Sequence, residues 1–433
     1  MVFISLLIVS LYRMIRRKDP EPIFGVYRQR GKWFWLKYII FTIIFYIRKL
    51  RFRKGSKSGG GHGAKNIADP NLLEKPQPLS DHPKAFDAVF YIGGNSEGYR
   101  FIMGTERRHK GLVHAVLYLV VPDIGFMVLP QLPDTMMFTT NFGKEGNAFG
   151  GPGFISEPIL PMNKWRLRYR GQMRQGEKLH DVEFSFEFTS QFRYFDFDSD
   201  ISPKALADAI SREPWTQEYF QYLRTAHQSH YEQMGGIRGT LKVNGEARTI
   251  DMQGFRDHSY GFKRDWSLMH RYAFIVFFLE DGRSISMGII SQPCTCSALN
   301  TGYICTQKGK LHPVDWCDFE LYQHGEDGIP PTDFAYQFSA GGRTHTVQIM
   351  VDHESVHYVG SQWEAKMVER FISVQMDGVP GYGVAEFHYN NKTGRPEEYS
   401  ANDPQWYKNV MTREAEYKKL EYMSMSQAND KKK

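Results

Sequence analysis

The chain has no apolar run that makes a comfortable lone membrane span. Its two N-terminal apolar stretches, Val2 to Tyr12 and Trp33 to Ile47 with Lys37 inside the second, fall short of a hydrocarbon core of roughly 30 Å. Nor does it carry a P-loop, a G-x-S-x-G elbow, an H-E-x-x-H pair or a dinucleotide fingerprint after a strand. Those absences remove the stock routes to nucleotide, serine-hydrolase and metalloprotease chemistry, and no cofactor is expected. Cysteine is scarce: Cys294, Cys296, Cys305 and Cys317 follow the spacing C-x-C-x8-C-x11-C, without the close knuckle a zinc site uses. No metal site is expected there, and the thiols read as free groups on neighbouring strands. A disulfide would need an oxidising compartment.

A basic body is also missing. The net charge of +6 belongs to the N-terminal arm, where residues 1–60 hold fourteen Lys and Arg against Asp19 and Glu21. The remaining 373 residues carry −6, which argues against a nucleic-acid partner. Between the two apolar stretches lie Arg13, Arg16, Arg17, Lys18, Arg28, Arg30 and Lys32, and Arg48, Lys49, Arg51, Arg53, Lys54 and Lys57 follow the second. A spanning hairpin would put one cluster on the non-cytoplasmic side. Two segments dipping into the cytoplasmic leaflet, or one transmembrane helix plus one surface helix, fit better, with a buried core helix as the alternative for Trp33 to Ile47. A cleaved signal peptide would need the opposite order of charge and apolarity. The arm therefore predicts membrane association through residues 1–54, on an intracellular membrane with the body facing the cytosol.

What is present is alternation. Residues 55–85 are rich in glycine, serine and proline and read as a flexible linker. From Phe86, Trp165, Leu167 and Tyr169 alternate with arginines, and Val182, Phe184, Phe186 and Phe188 alternate with Glu183, Ser185 and Glu187. This is the period of strands with one buried and one wet face. Ser202-Pro203 signals a helix start, and Pro214 opens a second helical stretch. Asn244-Gly245 and Asp281-Gly282 signal tight hairpins. The expected plan is a mainly β chain: anchor 1–54, linker 55–85, first barrel or sandwich 86–201, helical connector 202–234, second barrel or sandwich 235–405 and charged tail 406–433. Asn391-Lys392-Thr393 is a glycosylation sequon, meaningful only in an extracytoplasmic body.

Three polar clusters interrupt this pattern. In GFRDHSYGFKRDW, residues 254–266, a strand would point Arg256 and His258 to one face and Asp257 and Ser259 to the other, while Gly254 and Gly261 allow close backbone approach. His258 with Asp257 or Asp265 could run acid–base chemistry; alternatively Arg256 or Arg264 pairs with Asp257 and Asp265 under Trp266 as a structural network. In GYGVAEFHYN, Glu386 and His388 share a face opposite Ala385, Phe387 and Tyr389. They form either an acid–base pair in a cavity or cross-strand partners on a wet face. Trp363, Glu364 and Glu369 form the third cluster.

GFRDHSYGFKRDW, FFLEDGRSISMGIISQP, LYQHGEDGIPPTDFAY and WEAKMVERF with DGVPGYGVAEF together resemble the N-terminal region of animal proteins named after phosphoenolpyruvate synthase or rifampicin phosphotransferase. The R-D-H-S-x-G core more remotely resembles the tandem lipocalin-like group of AttH-type proteins and carotenoid hydratases. The resemblance covers roughly residues 86–400. It implies two lipocalin-like barrels, a lipid or isoprenoid ligand, and acid–base hydratase- or isomerase-type chemistry. Phosphoryl transfer is not implied, because the chain ends before any domain for it. Under this reading an apolar ligand fills a barrel. Asp257, His258 and Glu386 act on it, and Arg256, Ser259, Arg264, Asp265, Trp266 and His388 bind it. The competing reading is a membrane-bound adaptor whose barrels are filled by side chains.

Overall fold

The computed structural model describes residues 18–54, 70–139, 148–396 and 399. Alternation produces strands nearly throughout. The first group is β1 (Phe86–Gly94), β2 (Arg100–Arg107), β3 (Leu112–Val121), β4 (Gly125–Val128), β5 (Met136–Phe138), β6 (Phe149–Gly151), β7 (Phe154–Leu160), β8 (Lys164–Gln175), β9 (Lys178–Thr189), β10 (Phe195–Asp196), β11 (Gln228–Val243) and β12 (Glu246–Gly261). These form one 12-stranded sheet. Its pairings run β11–β12–β1–β2–β3–β4–β8–β9 and return to β11, through the single bridge Val128–Arg174 at β4–β8.

The second group is β13 (Arg271–Leu279), β14 (Ser284–Gln292), β15 (Cys296–Cys305), β16 (Leu311–Cys317), β17 (Asp333–Ala340), β18 (Arg343–Val359), β19 (Ala365–Met376) and β20 (Val379–Asn390). These close into an antiparallel barrel in sequence order.

The sheets divide the chain later than the sequence suggests. The hairpin turn at Asn244-Gly245 is present, with positive φ at both residues as a two-residue turn requires. Yet β11 and β12 pair with β9 and β1, so the second barrel begins at Arg271 and not at residue 235. The reason is pairing: β12 matches β1 from Phe86↔Gly261 to Gly94↔Gln253, a long-range register that local patterning does not encode. At Gly254 an added Cβ would sit 2.9 Å from Ile237 and 3.2 Å from the Gly236 backbone, so the close approach expected there is real.

The connector forms as the caps dictate. Helix α1 is Phe34–Lys54, α2 is Pro70–Leu73, α3 is Pro203–Arg212 and α4 is Gln217–Thr225. Ser202 caps α3 by accepting from the Lys204 N–H with Pro203 in the first turn, and Thr216 caps α4 through the Tyr219 N–H. α1 lies along this connector, with Phe41 and Phe45 packed among Ile210, Tyr219 and Phe220. No described helix is long and apolar enough to cross a membrane, which corrects the transmembrane expectation for the second apolar stretch. Val2 to Tyr12 lies outside the described residues.

Side chains fill the closed barrel: Ala273, Ile275, Phe277, Met287, Phe338, Ile372 and Phe387 are at most 2% exposed. Outward residues of that barrel, among them Val276, Phe278, Phe371 and Val384, join the core of the first sheet. The two β units are therefore fused through an apolar seam, and the ligand space expected inside a barrel is occupied by protein. The four cysteines are free. Burial pushes the thiols of Cys296 and Cys317 up to about 12, leaving them unreactive.

Candidate functional site between the two barrels

β12 has no wet face in the RDHS segment, because both of its sides are covered. Arg256 and His258 point into the first β unit, as alternation requires. There Arg256 Nη2 lies 2.9 Å from Glu74 Oε1 and 2.9 Å from Gln233 Oε1, with both ends of the ion pair at most 1% exposed. Glu74 also accepts from Trp165 Nε1 at 2.5 Å and from the Tyr231 hydroxyl at 2.7 Å. Although burial opposes it, Arg256 and these donors hold the Glu74 carboxyl below its ordinary range. His258 Nε2 sits 2.7 Å from Asp87 Oδ1, and Nδ1 sits 2.8 Å from the Tyr231 hydroxyl. His258 is fully buried, with Phe149 edge-on at 5.3 Å. Every polar atom of Glu74 and both ring nitrogens of His258 thus have partners. This is the geometry of a structural network.

Asp257 and Ser259 point the other way, toward the seam. Arg264 Nη2 donates to Ser259 Oγ at 2.9 Å and Nη1 to Glu106 Oε2 at 3.1 Å, with the guanidinium 3.8 Å over Phe86. Asp265 pairs with Lys84 at 2.7 Å and caps a short 3-10 turn, accepting from the Ser267 N–H. Burial raises the Asp257 carboxyl to about 6, with His230 opposing the shift and Glu232 reinforcing it.

The outer wall of the second barrel carries a buried polar cluster across the seam. Glu369 on β19 and Glu386 on β20 are directly opposite in register. Their positions follow from strand alternation: Ala385, Phe387 and Tyr389 enter the barrel core, so Glu386 and His388 face out into the seam. Glu369 is 3% exposed, and its oxygens meet no donor group; the polar group they face is the Glu386 carboxyl. Burial, reinforced by Glu386, raises its carboxyl well above the ordinary range. The Tyr272 hydroxyl donates to Glu386 Oε1. His357 on β18 lies with Nδ1 2.8 Å from the Tyr118 hydroxyl of β3, a contact that bridges the two β units. Burial lowers His357 to about 3 and keeps it neutral. His388, also lowered to about 3 by burial, stacks on Tyr272 at 5.0 Å and on Trp266 at 5.5 Å, with no partner at either nitrogen. Phe126 against Phe371 and Phe255 against Phe274 form apolar flanks.

This arrangement can do two things chemically. Two carboxyls sharing a dry space cannot both ionise cheaply, which disposes the pair to hold one proton between them. Alternatively, His357, Glu369 and Glu386, with one donor atom each within 4.8 Å of the others, could hold a divalent cation. A cleft of about 450 Å³, lined by Leu132, Ser355, Tyr358, Trp363 and Tyr399, opens beside the cluster; Ser355 is the register partner of Glu369. Neither this cleft nor another of about 690 Å³, lined by Asn163, Gly236, Gln253 and Tyr382, contains a residue of the cluster itself.

The structure thus splits the sequence-predicted residues. Glu386 meets Glu369 of the third cluster, while His388 and Trp266 stack on one another next to Tyr272. Asp257, Ser259 and Arg264 line the seam beside them, and Arg264 lies 5.4 Å over the Trp266 ring. Arg256 and His258 sit on the far side of β12, Asp265 caps a turn, and Glu364 accepts from the Gln362 N–H. Tyr118, Tyr272, Ser355 and His357 escaped the sequence reading. The one signal for two of them is His353, Ser355 and His357 at alternate positions of a long strand.

A search of curated proteins returned no match to the chain. Among solved structures it is similar to a protein of Nitrosomonas europaea described as an AttH, at 14% identity and TM-score 0.48, over 71% of this chain and 93% of that one. It is similar to kievitone hydratase from Nectria haematococca at 14% identity and TM-score 0.46, over 77% and 96%. It is also similar to CghA bound to Sch210972, at 9% identity and TM-score 0.43, over 75% and 97%. The model of a family of unknown function, DUF8627, matches residues 1–389, and the chain belongs to that family.

Proposed function

We propose that the protein takes a small apolar molecule, of lipid or isoprenoid type, into the seam between its barrels and moves a proton on it. The observation that carries this reading is Glu369: a buried carboxyl that meets no donor group, set against a second carboxyl among aromatic walls. Such a group costs stability and serves no packing purpose, which marks functional sites more often than structural ones. The Glu369–Glu386 pair gives its proton to one carbon of a double bond in the bound molecule. Water captures the resulting cation and returns a proton to the pair, giving hydration; loss of a neighbouring C–H proton instead gives an isomer. Tyr272 keeps Glu386 oriented, Tyr118 fixes the His357 ring, and Asp257 is a second titrating group on the opposite wall. Arg256 and His258 are positioning residues that hold β12. Ser259, Arg264, Trp266 and His388 shape the ligand space.

Native mass spectrometry of the full chain, followed by extraction, tests this. The parent should retain an apolar molecule near one-to-one, Glu369→Gln should retain it in a form lighter by one water, and Ser355→Trp should empty the protein. A folded parent that is empty in every preparation contradicts the proposal. The cation geometry favours a second reading, in which His357, Glu369 and Glu386 bind a divalent metal. Elemental analysis of the same samples decides it: a stoichiometric metal in the parent, lost in Glu369→Gln, supports that reading over proton transfer.

A further inference from the structure

Helix α1 divides lengthwise into two unlike stripes. On the inner stripe Phe34 is buried, Phe41 meets Trp215 edge-on at 4.9 Å, Lys37 Nζ donates to the Glu213 carbonyl at 2.7 Å, and Lys49 Nζ donates to the Asp200 carbonyl at 3.2 Å. These contacts seal the helix to the connector along its length. The outer stripe is apolar and open: Trp35, Leu36, Ile39, Ile43, Ile47 and Leu50 recur at helical spacing and are 45–63% exposed. An exposed apolar stripe of this extent calls for a partner. Charge identifies which. No acidic residue occurs between Glu21 and Asp69, while Arg28, paired with Glu213, Arg30, paired with Asp208, and Lys32 precede the helix and Arg48 and Arg51 close it. A protein partner for such a stripe would have to be apolar and acidic at both ends. An anionic bilayer surface offers both features continuously.

We infer that the outer stripe of α1 docks in the plane of an anionic membrane surface, as a monotopic contact rigidly joined to the barrels. The helix does not cross the membrane, because its inner stripe belongs to the body. This contact is independent of the chemistry at the seam.

Co-flotation of the full chain with vesicles of phosphatidylcholine alone, and of phosphatidylcholine with about one-third phosphatidylserine, tests the inference. The parent should bind the anionic vesicles, and less so at high salt. Ile43→Glu/Ile47→Glu should lower the partition coefficient at least about tenfold with unchanged thermal stability, since both side chains point away from the body. Binding unaffected by that double substitution overturns the inference. So does failure of the parent to bind either vesicle. Loss of binding only on Leu6→Glu/Leu7→Glu assigns the contact to the preceding segment and also overturns it. A dimer that the Ile43/Ile47 variant converts to monomer, without vesicle binding by the parent, makes a second copy the occupant.

Discussion

Arg256→Ala is expected to destabilise the protein by about 3–5 kcal/mol, whereas Glu369→Leu, at an equally buried position, is expected to stabilise it by about 1–3 kcal/mol. The contrast follows from what each change leaves behind. Removing Arg256 strips the fully buried Glu74 carboxylate of its ion-pair partner, and also removes the guanidinium packed 5.4 Å over Trp165 and 5.5 Å over Tyr231. The Tyr231 and Trp165 donors remain, but they do not balance a charge. Removing the Glu369 carboxyl strands no donor group: its oxygens meet none, and Glu386 keeps the Tyr272 hydroxyl. Leucine also spares the desolvation of a polar group. Denaturant unfolding at neutral pH measures both. A loss of stability in Glu369→Leu comparable to that of Arg256→Ala would make the seam cluster structural.

His388→Phe should remove an acid sensitivity worth about 2 kcal/mol between pH 7 and pH 5. Burial lowers His388 to about 3, chiefly by desolvation and secondarily through His270 and Arg271. In the unfolded chain the imidazole protonates near pH 6.5. Between those two values the unfolded state binds a proton that the native state refuses. The contribution of this residue is therefore present at neutral pH and is lost as pH falls through the unfolded value. Phenylalanine keeps the stacks on Tyr272 and Trp266 and takes up no proton. The measurement is a difference, because Glu369 acts with the opposite sign: its raised carboxyl favours the native state as pH falls toward the ordinary carboxylate range. Unfolding free energies of parent and variant at both pH values give the slope. Parallel curves would show that His388 has a route to water.

Much of this site is visible in the sequence as direction but not as depth. Period-two alternation separates Arg256 and His258 from Asp257 and Ser259, and sets Glu386 and His388 opposite Ala385, Phe387 and Tyr389; the structure keeps each separation. What alternation cannot give is which face is the interior. Polar residues ordinarily mark the wet side, but both faces of β12 are covered here, and the face carrying Arg256 and His258 is the deeper one. The partners that make it tolerable, Glu74 and Asp87, lie 182 and 171 residues away. The Tyr118–His357 contact spans 239 residues, and the Glu369–Glu386 pairing depends on the register of β19 and β20. Long-range pairing also decides that β11 and β12 belong to the first sheet. In the N-terminal arm, charge and apolarity were legible, and the inner stripe of α1 was not, since Phe41 and Phe45 look no different from the isoleucines that face outward.

The Glu369–Glu386 pair is expected to keep a proton in the seam at neutral pH. Infrared difference spectroscopy of the metal-free protein in light and heavy water, comparing parent with Glu369→Gln, reads that proton directly. A protonated-carboxyl C=O band is expected in the parent at pH 7, shifted in heavy water, lost only as pH rises further, and missing in Glu369→Gln. Two ionised carboxylates at pH 7, with no such band and no difference in the variant, would contradict it.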